Sequence, residues 1–253
     1  MQHSFNSKSL IGVALCLFLG MGAMALHARA EGRRNPPPPI PWEKCGDIDD
    51  VAAFMHGELS DRTDNLLAAR REELNHLNEA RIMADSGRAQ DRLRADEIRA
   101  LQFATLLARA TSTKARAAIT AFQTAVAEAV RVRRLAADRT IADFRSDLDA
   151  EIAARRARVD AARTSLIENL NAGLARSKSS CGKEGRPVRS RDELRMSVQS
   201  VQARFLDEVR GADASETTLR AMINEKQTAL LAAERTMRAS LDAARVQLVK
   251  ALR

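Results

Sequence analysis

Residues Arg109–Lys114 read RATSTK. Thr111, Ser112 and Thr113 cap helices well and propagate them only moderately. They interrupt a chain built mainly from alanine, arginine, leucine and acidic residues, which is the composition of long helices. No alternating strand pattern occurs anywhere. The fold class is therefore all-α, and the open question is where the helices turn.

Two sites compete for the first reversal. Asp85-Ser86-Gly87 carries a glycine of the kind that follows a helix C-terminus, and local chemistry favours it. The cysteines favour Thr111–Thr113. A reversal at Gly87 gives a helical hairpin followed by one very long helix. Cys45 and Cys181 would then lie ~80 Å apart at ~1.5 Å per residue, whereas bridged Cα atoms need about 7 Å or less. A reversal at Thr111–Thr113 divides the chain into helices of about 48–110, 114–176 and 191–253, 63 residues each and ~95 Å long. It also brings the two cysteines to the same end. The expectation is an elongated antiparallel three-helix bundle or coiled coil, with the Gly87 hairpin as the alternative. Kinks are expected near Gly87 and Gly211. The apolar stripe is expected to pass Gly87 through Ile82, Leu93, Ile98 and Leu101.

The stripe is clearest between Ile119 and Leu174, where apolar positions step by three, four and four. One register reads Ile119, Val130, Ile141, Ile152, Arg163, Leu174, and a second Val126, Ala137, Leu148, Val159, Leu170. The third alternates as Phe122, Arg133, Phe144, Arg155, Leu166. Eleven residues in three turns is ~3.67 per turn, close to a straight α-helix. The repeat returns as Leu219, Leu230, Leu241, Leu252, flanked by Met222, Ala233 and Ala244 and by Met237 and Leu248. Such a narrow, alanine-rich stripe suits burial against sister helices better than lipid. Arg133, Arg155 and Arg163 stand on it as anomalies.

Ser177–Arg191, SKSSCGKEGRPVRSR, reads as the second reversal: a loop with two glycines and a proline. Ser190-Arg191-Asp192-Glu193 restarts a helix as a capping box. Lys178, Lys183, Arg186, Arg189 and Arg191 make this loop basic, and a weak contact with an anionic membrane or cell-wall surface is one use for it.

The N-terminus bounds the compartment. Lys8 precedes the apolar run Leu10–Leu26, and Ala28-Arg29-Ala30 supplies a small-x-small cleavage pattern before Glu31. Residues 1–30 are expected to be a secretory signal peptide. The alternative is an uncleaved anchor, for which seventeen residues are short against the ~20 needed to span a bilayer. Residues 31–46 contain NPPPPIPWEKCG and form a proline-rich spacer, and residues 47–253 form the helical domain. An exported, periplasmic or extracellular chain with Cys45 and Cys181 remaining after cleavage is expected to form one disulfide.

Removing Lys8 and Arg29 leaves 39 basic against 33 acidic residues. The signs are interleaved, as on solvated helix faces. With no tyrosine and one tryptophan in the chain, stacking on nucleic acid is discounted. No phosphate-binding loop, nucleophile elbow or C-x-x-C occurs. His56 and His76 stand twenty residues apart and have no helical metal-site partner in this reading. No enzyme, cofactor, metal or small-molecule substrate is expected. The expected function is an exported, non-enzymatic structural or interaction protein, a scaffold or adaptor that presents helical faces to a protein partner or to itself. A periplasmic holdase-type chaperone and peripheral membrane binding through the eleven-residue repeats are the alternatives.

Overall fold

A computed structural model describes residues 47–184, 187–211 and 215–253, with side chains described for 47–181, 193–207 and 217–253. The described residues form four α-helices and no strand: α1 Asp47–Arg109, α2 Thr113–Glu184, α3 Pro187–Gly211 and α4 Ser215–Leu252. The fold is all-α. The described residues fall into two compact units, one of residues 47–87 with 158–184 and 187–211, and the other of 88–157 with 215–253.

The reversal at Thr111–Thr113 lies in the second unit and is made by the chemistry its sequence implies. Ser112 Oγ accepts the Ala115 amide at 3.1 Å, an N-cap of α2. Arg116 reaches back to the Ala110 carbonyl at 3.3 Å and satisfies a group that α1 leaves unpaired at its end. Around the turn Phe103, Ala110, Ile119 and Val126 form a buried cluster, joined by Phe122, Val130, Leu241 and Leu248. Phe103 and Phe122 meet edge to face, centroids 5.8 Å apart, the arrangement that ring quadrupoles favour. α1, α2 and α4 therefore share one core here.

The first unit has its own core. Ile48 and Val51 of α1, Leu174 and Cys181 of α2, and Leu194 of α3 pack together, with Met55 and Val198 at the margin. Ile48 is 1% exposed. As the partner on α1 moves forward from Asp49 to Arg70, its partner on α2 moves back from Lys178 to Asp160. The two helices are antiparallel.

The chain turns at Thr111–Thr113 as expected and not at the alternative, Gly87: α1 continues through it, and a Cβ there would meet nothing within 4 Å. Three expectations are corrected. α2 ends at Glu184 rather than near residue 176, and α3 begins at Pro187, a residue suited to a first helical position. Most of the expected loop Ser177–Arg191 is thus helical. Last, the expected third helix is two, α3 ending at Gly211 and α4 starting at Ser215.

The stripe on α2 is inward along its whole length, every member being buried or half-buried. The α1 stripe differs from expectation. Ile82, Leu93, Ile98 and Leu101 are all exposed, Leu101 at 71%. Between residues 88 and 99 the half-buried positions of α1 are instead Arg88, Arg92, Ala95 and Arg99. Arginine can face a neighbouring helix when carboxylates meet it, and they do.

Candidate interaction surfaces

The expected sites are distributed unevenly. Ala28, Ala30, Glu31 and Cys45 lie outside the described residues, as do the side chains of Lys183, Arg186, Arg189 and Arg191. Lys178 belongs to α2 and is bound to Asp49 of α1. Cys181 is 3% exposed and disulfide-bonded. His76 does have helical neighbours of the right kind, contrary to expectation: Glu72 and Glu79 lie 3.7 Å from its two ring nitrogens. That is too long for coordination, and among the described residues no group of three potential ligands is placed to hold a metal ion.

The strongest polar constellation joins α1 to α2 in the second unit. Arg92 donates to both oxygens of Asp138 at 2.5 and 3.0 Å. Arg134 returns the arrangement, donating to both oxygens of Asp96 at 2.8 and 2.9 Å and to the Arg92 carbonyl at 3.3 Å. Arg99 also binds Asp96. Hydrogen bonding from Arg134 holds the Asp96 carboxyl below its ordinary range, with Arg99 adding to it. Arg92 does the same for Asp138, and its own guanidinium is held more firmly protonated in return.

Sequence reasoning missed this clasp, although a signal was present. Arg92–Asp96 reads RLRAD and Arg134–Asp138 reads RLAAD. The two share R-L-x-A-D, in which arginine and aspartate are one turn apart on the same face. Antiparallel pairing of two copies sets each arginine against the other's aspartate. The first unit has a related contact, Arg70 to Asp160 at 2.9 and 3.1 Å.

The anomalous arginines separate. Arg133 pairs with Glu234 of α4 at 2.5 Å, and Arg155 is half-buried and also engaged. Arg163 keeps a buried Nε with no hydrogen-bond partner. A further cation occupies the corresponding stripe of α4, where Lys226 lies with its Nζ 4.1 Å from the Phe144 ring centroid. Burial pushes the Lys226 pKa down, and the nearby Arg88 charge pushes the same way.

In the first unit an open cleft of about 400 Å³ is lined by residues that include Arg176, Ser177, Glu193 and Ser197. Gly173 sets its floor. A Cβ there would stand 2.8 Å from Ser197 Oγ and 3.7 Å from Leu194 Cδ1, so glycine allows α3 to approach α2 closely.

The outward faces carry large apolar residues. In the second unit these include Leu93, Ile98, Leu101, Leu135 and Leu231, and in the first Ile82, Met83 and Met196. No described helix is long and apolar enough to cross a membrane. Comparisons with protein-family models, curated proteins and solved structures found no match.

Proposed function

We propose that this chain is an exported, non-enzymatic interaction scaffold that works by presenting the outer faces of its helices to protein partners. The observation that carries this reading is the set of large apolar side chains turned outward, foremost Leu93 at 64% and Leu101 at 71% exposure. Large apolar side chains left exposed are the groups through which a helical face binds a partner. The charges beneath, Arg92, Arg134, Asp96 and Asp138, are matched within the chain, which leaves the outer residues as the uncommitted ones. Export rests on the N-terminal sequence, with Cys45 and Cys181 pairing in the oxidising compartment. Ile48, three residues beyond Cys45, packs in the same cluster as the disulfide-bonded Cys181, which supports that pairing.

The test is site-specific photo-crosslinking in intact cells that express the full chain. A crosslinking residue at Leu101 or Leu231 is expected to yield discrete adducts in the exported fraction, and one at solvated Arg62 to yield none. Fractionation that leaves the protein in the cytoplasm, or equal labelling from all three positions, counts against the scaffold. A holdase is the second reading, favoured by the exposed methionines Met83 and Met196, whose flexible side chains adapt to varied clients. Suppression of aggregation of a denatured client by the purified protein distinguishes it. Contact with an anionic surface through the basic segment has weaker support, because Lys178 is engaged with Asp49. Helicity unchanged by anionic vesicles would remove that reading.

A further inference from the structure

The partner for one outer face follows from the symmetry of the clasp. In the second unit, R-L-x-A-D of α1 pairs antiparallel with R-L-x-A-D of α2, each arginine on the other's aspartate. That reciprocity is a local two-fold relation, which places equivalent positions on the same side of the helix pair. Leu93 and Leu135, the second residues of the two motifs, therefore share a side. Both are exposed, at 64% and 57%, whereas Ala95 and Ala137 of the same motifs are half-buried. The result is an uncovered face of two antiparallel helices with a leucine from each at one level.

We propose that this face, centred on Leu93 and Leu135, joins two copies of the chain into a closed dimer; the inference rests on the scaffold reading and names its partner. A patch with its own two-fold relation is matched at both leucines by another such patch, and a second copy supplies one. Cyclic two-fold dimers are the commonest closed assembly. The dyad runs along the helices, so that α1 of each copy lies antiparallel on α2 of the other and four leucines form one layer. In this register Glu97 faces Arg131 of the other copy, whose guanidinium also binds both oxygens of Glu128 on its own helix. The exposed Ala89 and Ala100 face the long side chains Arg139 and Glu128, small against large.

The alternative dyad, perpendicular to the helices, stacks α2 on α2 and sets Arg131 against Arg139, a like-charge contact. Charge complementarity thus selects the first arrangement. Beneath the leucines the clasp charges neutralise one another, so the basic excess of the chain does not oppose association at this patch.

The experiment is sedimentation equilibrium and light scattering on the full mature chain up to about 100 µM, a range that captures micromolar association. The wild type is expected to be a dimer. Leu93→Glu/Leu135→Glu is expected to be a monomer with the same far-ultraviolet helicity, since both positions are exposed. Glu97→Arg is expected to weaken the dimer at least tenfold, and Glu97→Arg/Arg131→Glu to restore it. A monomeric wild type overturns the proposal, as does a higher oligomer or a dimer that persists in the double leucine variant. If the leucine variant loses helicity, the Glu97/Arg131 charge reversal decides alone: absence of rescue overturns the arrangement. A monomer in solution that still gives discrete adducts to other proteins in cells leaves the scaffold reading standing, so the two failures are distinguishable.

Discussion

Two cations placed on apolar stripes have measurable consequences for stability. Lys226 gains attraction from the Phe144 ring, about 0.5–2 kcal/mol in such pairs. Burial outweighs it, because the pKa is lowered. A base whose folded pKa is lowered penalises the folded state at neutral pH, and the penalty is relieved as pH rises through the folded value toward ~10.4. Lys226→Met is therefore expected to raise Tm by a few degrees at pH 7, with the gain shrinking as pH approaches 10. Thermal melts by circular dichroism across that range test the sign. Arg163 is simpler. Its buried Nε lacks a partner, a deficit of about 1–3 kcal/mol, and Arg163→Leu should stabilise by about 1 kcal/mol in urea unfolding. The clasp carboxylates titrate in the opposite sense. Asp96 and Asp138 have lowered pKa values, so their contribution is present above the ordinary carboxylate range near ~4 and lost as pH falls through the lower folded values. Both are about half exposed, which limits the coupling of Arg92 to Asp138 to about 1 kcal/mol in a double-mutant cycle. A coupling that does not weaken at all as pH falls below ~4 would contradict the electrostatic account.

At the scale of elements, the α2–α3 contact turns on Gly173. In an ordinary helix Gly→Ala stabilises by about 0.5–1 kcal/mol. Here the new methyl meets Ser197 Oγ at 2.8 Å, and the hydroxyl must rotate away. Gly173→Ala is expected to be within about 0.5 kcal/mol of neutral, and Gly173→Leu to lose about 2 kcal/mol by overpacking. Relief of the leucine variant by Ser197→Ala in chemical denaturation would confirm the contact. The same elements show what was legible. The inward face of α2 could be read because its eleven-residue period is carried by Ile119, Val126, Leu148, Leu170 and others of one chemical kind. The reversal at Thr111–Thr113 was legible through Cys45 and Cys181, which only that turn brings to one end, although local chemistry favoured Gly87. The extension of α2 past Leu174 was not, because Gly182, Gly185 and Pro187 weighed as loop. Yet the three-then-four step carries Leu174 to Ser177 and Cys181, both buried, and that phase was the available signal. On α1 between Arg88 and Arg99 apolarity pointed the wrong way. The residues that face the bundle there are arginines neutralised by Asp96 and Asp138, and a hydrophobic period does not register a paired cation.

For the molecule as a whole, the disulfide governs how much stability is covalent. The proposed link from Cys45 to Cys181 closes a loop of about 135 residues, which restricts the unfolded chain by roughly 5 kcal/mol in the chain-entropy model. Peptide mapping under non-reducing conditions is expected to find Cys45 joined to Cys181 within one chain, and reduction to lower Tm by several degrees. Packing and cross-link can be separated, because Cys181 also sits among Ile48, Val51, Leu174 and Leu194. Cys45→Ala removes the bond and leaves a thiol in the core, where free cysteine behaves as a small apolar side chain. Cys181→Ala removes the bond and the buried sulfur together. Cys181→Ala should therefore be the less stable of the two by about 1 kcal/mol, the scale of a small buried group. Equal losses would place all the stabilisation in the cross-link. A bridge found only between chains, doubling the mass without reductant, would contradict the intrachain pairing and the account of how the start of α1 is tied to the end of α2.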